Sequence, residues 1–538
     1  MSSYVNPNPE LLLIMQNIKI PFKDTNIFSP FFLDYIHQKE SLKKFYNRFP
    51  NIPQFEAQIQ DKQKSFSDTS RSILHDCLKE QYKDLEISEP VDKNISLLKE
   101  STTFTITTGH QLNIFTGPLY FIYKIASVIN ACKALKEVYP SFNFVPVYWM
   151  ASEDHDFEEI SYFKLYGKKY TWETDQKGGV GRFNPNSLKS ILSELPGDVS
   201  VFERAYLKHD NLSDAVRYYV NELFGKEGLV VVDADHRALK SQLADVITDD
   251  LFNHSAKTKV EATNTALNNE GYSTQVYARD INFFYLDDNL RSRLEKTADG
   301  FSVIDTEIKF SDEQIRNMIK NEPEKFSPNV ILRPLYQEVI LPNLAYFGGP
   351  AEVIYWLQLK GVFDHYKIPF PILMPRNFAL VLDGPIARKF EKTGLTVEEL
   401  FLEKNFLFND WVSKHTHHNL TLTNELKSIN SLFSEVKNRA VEVDPTLGPL
   451  VEAETKRAAK SFERIEQKLL KAEKRNHSDK LRQIEEVKDY LFPNGGLQER
   501  SDNFLNFYQE DPTFIQKALD AFDPFDFQLN MLMYPYPK

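Results

Sequence analysis

Cysteine is nearly absent. Cys77 and Cys132 are the only two among 538 residues, too few for a disulfide framework or a four-thiolate zinc site. That scarcity points to a reducing cytoplasm. Basic charge is short as well: 64 Lys and Arg stand against 76 Asp and Glu, a formal net charge of -12. Such a balance is a poor match for nucleic acid or anionic lipid, so neither nucleic acid nor membrane is expected as a partner. No apolar run approaches the roughly 18 residues that span a bilayer. The short stretch Leu11–Met15 follows Glu10 with no cationic flank and reads as helix, not as a signal peptide. Glycine-rich phosphate loops of the G-x-G-x-x-G or Walker A kind are missing, and so is H-E-x-x-H, which excludes a zincin.

What is present is an ordinary globular composition, 42% hydrophobic and 26% charged, long enough for about two to four domains. Residues 102–108 (TTFTITT) read as a buried strand, Gly109-His110-Gln111 as the loop after it, and 119–136 as a helix. Further strands are expected at 142–150, 228–233 and 368–374, with 273–286 strand-rich. A helix carrying Leu239, Leu243, Val246 and Leu251 follows the second of these, and Gly348-Gly349-Pro350 opens another. Strands alternating with helices predict an α/β fold with a parallel sheet, whose polar loops converge at the carboxyl edge where ligands bind. Near the end the texture changes. Leu422, Leu426, Ile429, Phe433, Val436 and Ala440, then Val451, Thr455, Ala458, Phe462, Ile465, Leu469 and Ala472, repeat at heptad spacing. Pro445 and Gly448-Pro449 separate the two runs, so an antiparallel coiled coil is predicted, with a third helix over about 479–491. The expected division is 1–384 for the core, with insertions at roughly 160–227 and 255–330, then 385–492 for the helical linker and coiled coil. Residues 493–538 form a tail that packs back on the core.

Chemistry concentrates in the loops. His110, with Thr108, Gly109 and Gln111, lies between a strand and a helix start, a place suited to an anion. Glu153, Asp154, His155 and Asp156 open an acidic run straight out of an apolar strand, suited to a metal, a base or a substrate amine. Asp235, beside Asp233 and His236, repeats the theme on another strand end. Arg333 and Arg376 are arginines beside prolines in apolar surroundings, placed for clamping carboxylate or phosphate. Gln498, Arg500 and Asn503 are candidates for a second, nucleotide-sized pocket at the base of the coiled coil. Neither cysteine has a His or cation nearby in sequence, so no thiol nucleophile is expected.

The segments TGHQLNIFTGPLYFIYK, PVYWMASEDHDFEEI, the block from Ser327 to Arg376 and PNGGLQER resemble, in order, the cysteine-adding family of bacillithiol biosynthesis, the BshC-type cysteine ligases. The resemblance spans essentially the whole chain. It implies a Rossmann-like core interrupted by connecting-peptide insertions, a C-terminal coiled coil used for homodimerisation, and a cytoplasmic ligase that joins L-cysteine to glucosaminyl-malate. On that expectation His110 and His155 serve proton transfer or oxyanion stabilisation, and Asp154 and Asp156 hold the amine or a metal. Thr108, Gly109, Gln111, Glu153, Asp235, Arg333, Gly348, Gly349 and Arg376 are expected to bind substrate, with Arg376 placed by its side-chain chemistry on a malate or phosphate group. The HIGH and KMSKS motifs of synthetase-like relatives are absent, so no activating co-substrate is named: ATP and another activating group both stand, and no metal is assigned. Two other readings fit the residues, a metal-dependent hydrolase of a sugar conjugate and a non-catalytic dimeric scaffold.

Overall fold

The computed structural model describes residues 15–536; of the Leu11–Met15 stretch, all but Met15 lie outside them. Five strands build the central sheet: β1 (Thr103–His110), β2 (Asn143–Met150), β3 (Val230–Asp233), β4 (Asn343–Gly348) and β5 (Ile372–Pro375). All neighbours are parallel, in the order β5-β4-β1-β2-β3. Every residue of β1 is buried, which accounts for its β-branched and aromatic run. Helix α1 (Tyr120–Val138) returns from β1 and packs on β1 and β2 with twelve buried residues. Strand order reverses between β1 and β4, and a crevice opens at such a switch point beyond the carboxyl ends of the strands.

Three differences from the sequence expectation bear on the site. Gly109 and His110 are the last two residues of β1 rather than a loop, because β1 keeps pairing with β2 as far as His110 opposite Met150. The helix expected to carry Leu239 through Leu251 is two helices, Arg237–Ser241 and Ala244–Asn253. Residues 273–281 hold no strand; only Phe283–Asp287 of that stretch does. It belongs to a five-stranded antiparallel sheet with Leu290–Thr297, Gly300–Val303, Lys309–Phe310 and Phe326–Pro328. That sheet stands beside the carboxyl edge of the parallel one and brings Phe284 and Arg291 to it.

After β5 the chain forms a strand at Phe378–Leu382, which pairs with Gln528–Met533, itself paired with Gln16–Pro21. The coiled coil is α3 (Thr423–Val443) folded back on α4 (Gly448–Asn476), followed by α5 (Ser478–Leu491). Along α3 all the heptad positions from Leu426 to Ala440 are half-buried. On α4 the seam holds to Phe462 and then shifts by one residue: Ile465 and Leu469 are exposed while Glu466 and Leu470 turn inward. A straight helix drifts about 20° per heptad, and over 29 residues the drift moves the seam. No helix of the described residues is long and apolar enough to cross a membrane.

Candidate functional site

A cavity of about 700 Å³ lies at the switch point. It is bounded by the ends of β1, β2 and β4, the loop after β2, the antiparallel sheet and Arg500 from the C-terminal segment. Gly109 sits in close quarters there: a Cβ would come within 3.3 Å of the Tyr346 hydroxyl and 3.6 Å of Arg333 Nη1. Gly348 fits for a similar reason, since a Cβ would meet that of Glu352 at 2.8 Å.

Lys124 and Glu352 tie the two strands of the switch point together. Lys124 Nζ, buried in α1, donates to Gly109 O at 2.8 Å and lies 2.7 Å from Glu352 Oε2. Glu352 accepts from the Gly349 N–H at 2.7 Å and from the Tyr346 hydroxyl at 2.9 Å, and so caps the helix α2 (Pro350–Leu357). Burial pushes the Glu352 carboxyl up, but Lys124 and these donors prevail and hold it below the ordinary carboxylate value. The free end of α2 is therefore occupied by the chain's own carboxylate. At the start of α1 the Leu119 N–H donates to Asp502 O at 2.7 Å, so that end is partly occupied too.

His110 faces the cavity with Nε2 buried and without a hydrogen-bond partner. Burial, with Lys124 adding to it, pushes its pKa down to about 3, so the imidazole is neutral at physiological pH. Asp154 lies opposite. Burial acts to raise its carboxyl, but the His155 hydrogen bond and Arg291 hold it well below the usual range. Arg291 donates to His155 Nδ1 at 2.6 Å, lies 3.4 Å from Asp154 Oδ1 and stacks 4.0 Å from the Phe284 ring centroid. It thus engages both Asp154 and His155. Among the described residues no three His, Cys, Asp or Glu side chains are grouped to hold a metal ion. Glu153 is pushed up by burial against the pull of Lys240, its ion-pair partner. Gln111 donates to Glu159 at 2.6 Å and to Asp154 at 3.4 Å.

The arginines divide by partner. Arg376 is buried and bound to the buried Glu499 at 2.5 Å, and Glu499 also accepts from the Ala379 N–H at 3.1 Å. Arg376 also lines the cavity, with part of its guanidinium committed to that pair. Arg333 stands 5.7–6.0 Å from the Tyr346, Trp149 and Trp356 rings and makes a long 3.4 Å contact with Gln337. Among the described residues it forms no ion pair, and it lines the cavity.

Several expected residues lie elsewhere. Asp156 is exposed and caps Phe157–Ile160. Thr108 is buried and donates to Phe347 O at 2.8 Å. Gly348 ends β4 just short of the cavity wall, while Gly349 lines it. Asp235 belongs to a separate cavity, paired with Arg182 at 2.9 Å. Gln498 is bound to the N–H and O of Val381, and Asn503 to Phe115 O, Gly117 O and the Leu505 N–H. Both are fully buried, so neither offers a free group to a nucleotide; of that trio only Arg500 faces a cavity. Cys77 does have a His neighbour in space, His236 at 3.2 Å. Burial, aided by Glu80 and Asp76, pushes the thiol up to about 11, so it is no activated nucleophile. Glu352, Arg291 and Lys240 were missed. Glu352 had a signal, its third place after Gly349 in a capping-box spacing; the other two had none.

Residues 15–377 match a family model described as the N-terminal Rossmann-like domain of bacillithiol biosynthesis BshC, and residues 379–534 match its C-terminal coiled-coil domain. The chain belongs to the BshC family. A protein of Flavobacterium psychrophilum named "Putative cysteine ligase BshC" is 44% identical over 517 residues, covering 94% of this chain and 97% of its own. Proteins of the same name from Christiangramia forsetii and Cytophaga hutchinsonii are 42% and 41% identical, each over 96% of this chain and 98% of their own. The family's Rossmann-like and coiled-coil parts correspond to the parallel sheet and the α3–α4 hairpin.

Proposed function

We propose that this chain is a cysteine ligase of bacillithiol biosynthesis, forming an amide between the carboxyl of L-cysteine and the amine of glucosaminyl-malate. What carries the reading is the near-full-length match to proteins named as cysteine ligases. The cavity supports it chemically, being lined by both carboxylates and cations. Arg333 takes a malate carboxylate, because it is the half-buried guanidinium left without an ion pair. Asp154 stays ionised and holds the ammonium of a substrate. Glu153, raised by burial, accepts the proton the amine must lose before it attacks. The nitrogen then forms the C–N bond and the group activating the cysteine carboxyl leaves with the electron pair. The neutral His110, through its unpartnered Nε2, hydrogen-bonds the oxygen that gains charge in that step. Arg291 already engages Asp154 and His155, which favours this reading over a metal-dependent hydrolase.

The same reading places the protein in the cytoplasm, working as a homodimer. The outward Leu432, Leu450, Ile465 and Leu469 on the coiled-coil hairpin suit contact with a second copy. The test is mass spectrometry of purified protein with glucosaminyl-malate and L-cysteine, with and without ATP. The expected product has the summed mass of the two less one water. If no such product forms and deletion of the gene leaves cellular bacillithiol unchanged, the reading is wrong.

A further inference from the structure

Residues 273–281 carry neither helix nor strand, yet the segment is braced at both ends. The Gln275 and Val276 N–H groups donate to Gln358 Oε1 at 2.8 and 3.2 Å, and Gln358 Nε2 donates to Val276 O at 2.9 Å. At the other end the Arg279 N–H donates to Asn282 Oδ1 at 3.1 Å, and Asn282 is fastened to Asp250. Between the braces Tyr277 is 73% exposed. Its hydroxyl makes only a 3.5 Å contact with Thr274 O inside the loop. Leaving a tyrosine ring in water forgoes its burial, and at this position the fold gains nothing from it. Val330 is 44% exposed, and both side chains line the catalytic cavity. The cavity thus has at its exposed edge an aromatic ring on a braced loop, with Val330 beside it and the exposed Arg279 and Arg500 also on the lining.

We propose that Tyr277, with Val330, is the specificity-determining platform on which the pyranose ring of the amine substrate lies; this rests on the ligase reading above. A glycosylated dicarboxylic acid has the matching polarity. Its carboxylates reach Arg333, and the sugar's face of C–H groups meets the exposed ring. Free cysteine has no flat apolar face to offer this ring. A tyrosine suits the task because its large, rigid ring loses little conformational freedom on contact.

The test compares wild type with Tyr277→Ala and Tyr277→Phe, and uses malate, the dicarboxylate without its sugar, as competitor. Tyr277→Ala is expected to raise KM for glucosaminyl-malate about tenfold, the size of one stacked ring contact. Its kcat, the KM for cysteine and the inhibition by malate stay within twofold, and Tyr277→Phe restores KM. The melting temperature stays at the wild-type value, since the ring is exposed. An unchanged KM in Tyr277→Ala overturns the proposal. Malate inhibition weakened in proportion also overturns it, because Tyr277 would then gate entry without reading the sugar. If the wild type forms no product, the ligase reading fails instead. Calorimetric binding of glucosaminyl-malate to wild type and Tyr277→Ala then decides the platform by itself: equal affinities refute it.

Discussion

Arg333 and Arg376 look alike in sequence, each beside a proline among apolar residues, but the structure assigns them opposite consequences. Replacing Arg376 by Met removes one partner of an ion pair whose side chains are 2% and 0% exposed. An uncompensated buried charge costs about 3–5 kcal/mol, and Glu499 keeps only the Ala379 N–H. At roughly 2–4 °C per kcal/mol the melting temperature should fall on the order of 6–20 °C. Adding Glu499→Gln removes the stranded charge and keeps the acceptor for Ala379, so the double variant should regain most of the loss. Arg333→Met strands no carboxylate and forfeits ring contacts worth about 0.5–1 kcal/mol, so its melting temperature should move by only a few degrees. Its effect belongs to substrate: losing a charge-assisted bond of about 1.5–3 kcal/mol raises KM for glucosaminyl-malate about 10- to 150-fold. Thermal unfolding and steady-state kinetics on the three variants separate the two roles. The reasoning fails if Arg376→Met melts with the wild type, or if Arg333→Met leaves KM untouched.

Three further outcomes follow from the same contacts. His110 stays neutral in the fold down to about pH 3, whereas in the unfolded chain it takes up a proton below about 6.5. Its contribution to stability is thus complete above 6.5 and is lost as pH falls towards 3. Urea unfolding should show wild type losing about 2 kcal/mol more than His110→Gln between pH 7 and pH 5; parallel losses would count against a neutral, buried imidazole. Lys124→Met leaves Glu352 without its cation, and should destabilise by about 3 kcal/mol in thermal unfolding, with Lys124→Met plus Glu352→Gln regaining most of it. Leu432→Asp combined with Ile465→Asp should convert a dimer to a monomer in sedimentation velocity while core melting is unchanged; a dimer that persists would place the contact elsewhere.

The parallel sheet was legible because its strands are β-branched, apolar runs that end in polar residues, a pattern local to each strand. Where a strand stops is decided by its neighbour: β1 runs on through Gly109 and His110 because β2 continues beside it. Residues 273–281 have strand-like composition, but side chains of Gln358 and Asn282 take the backbone groups a ladder would use. The heptad seam was readable to Phe462; beyond it Ile465 and Leu469 turn outward as the helix rotates, while Ala472 stays half-buried. The candidate site was partly legible: the acidic run after β2 and the end of β1 do meet in one cavity. The pairing that separates Arg376 from Arg333 was not, for Glu499 lies 123 residues further along the chain.

The small sheet formed by Gln16–Pro21, Gln528–Met533 and Phe378–Leu382 places the last strand of the chain in its middle. During synthesis the first of these strands leaves the ribosome some 500 residues before the strand that joins it to the rest. All residues of the parallel sheet and the coiled coil have been synthesised by then, so both can form with this seam still open. Domains generally fold in the order of their synthesis; here the N-terminal domain is the first begun and the last closed. The edge of Gln16–Pro21 therefore waits for its partner until the end of synthesis, an unpaired strand edge of the kind that templates association with other chains.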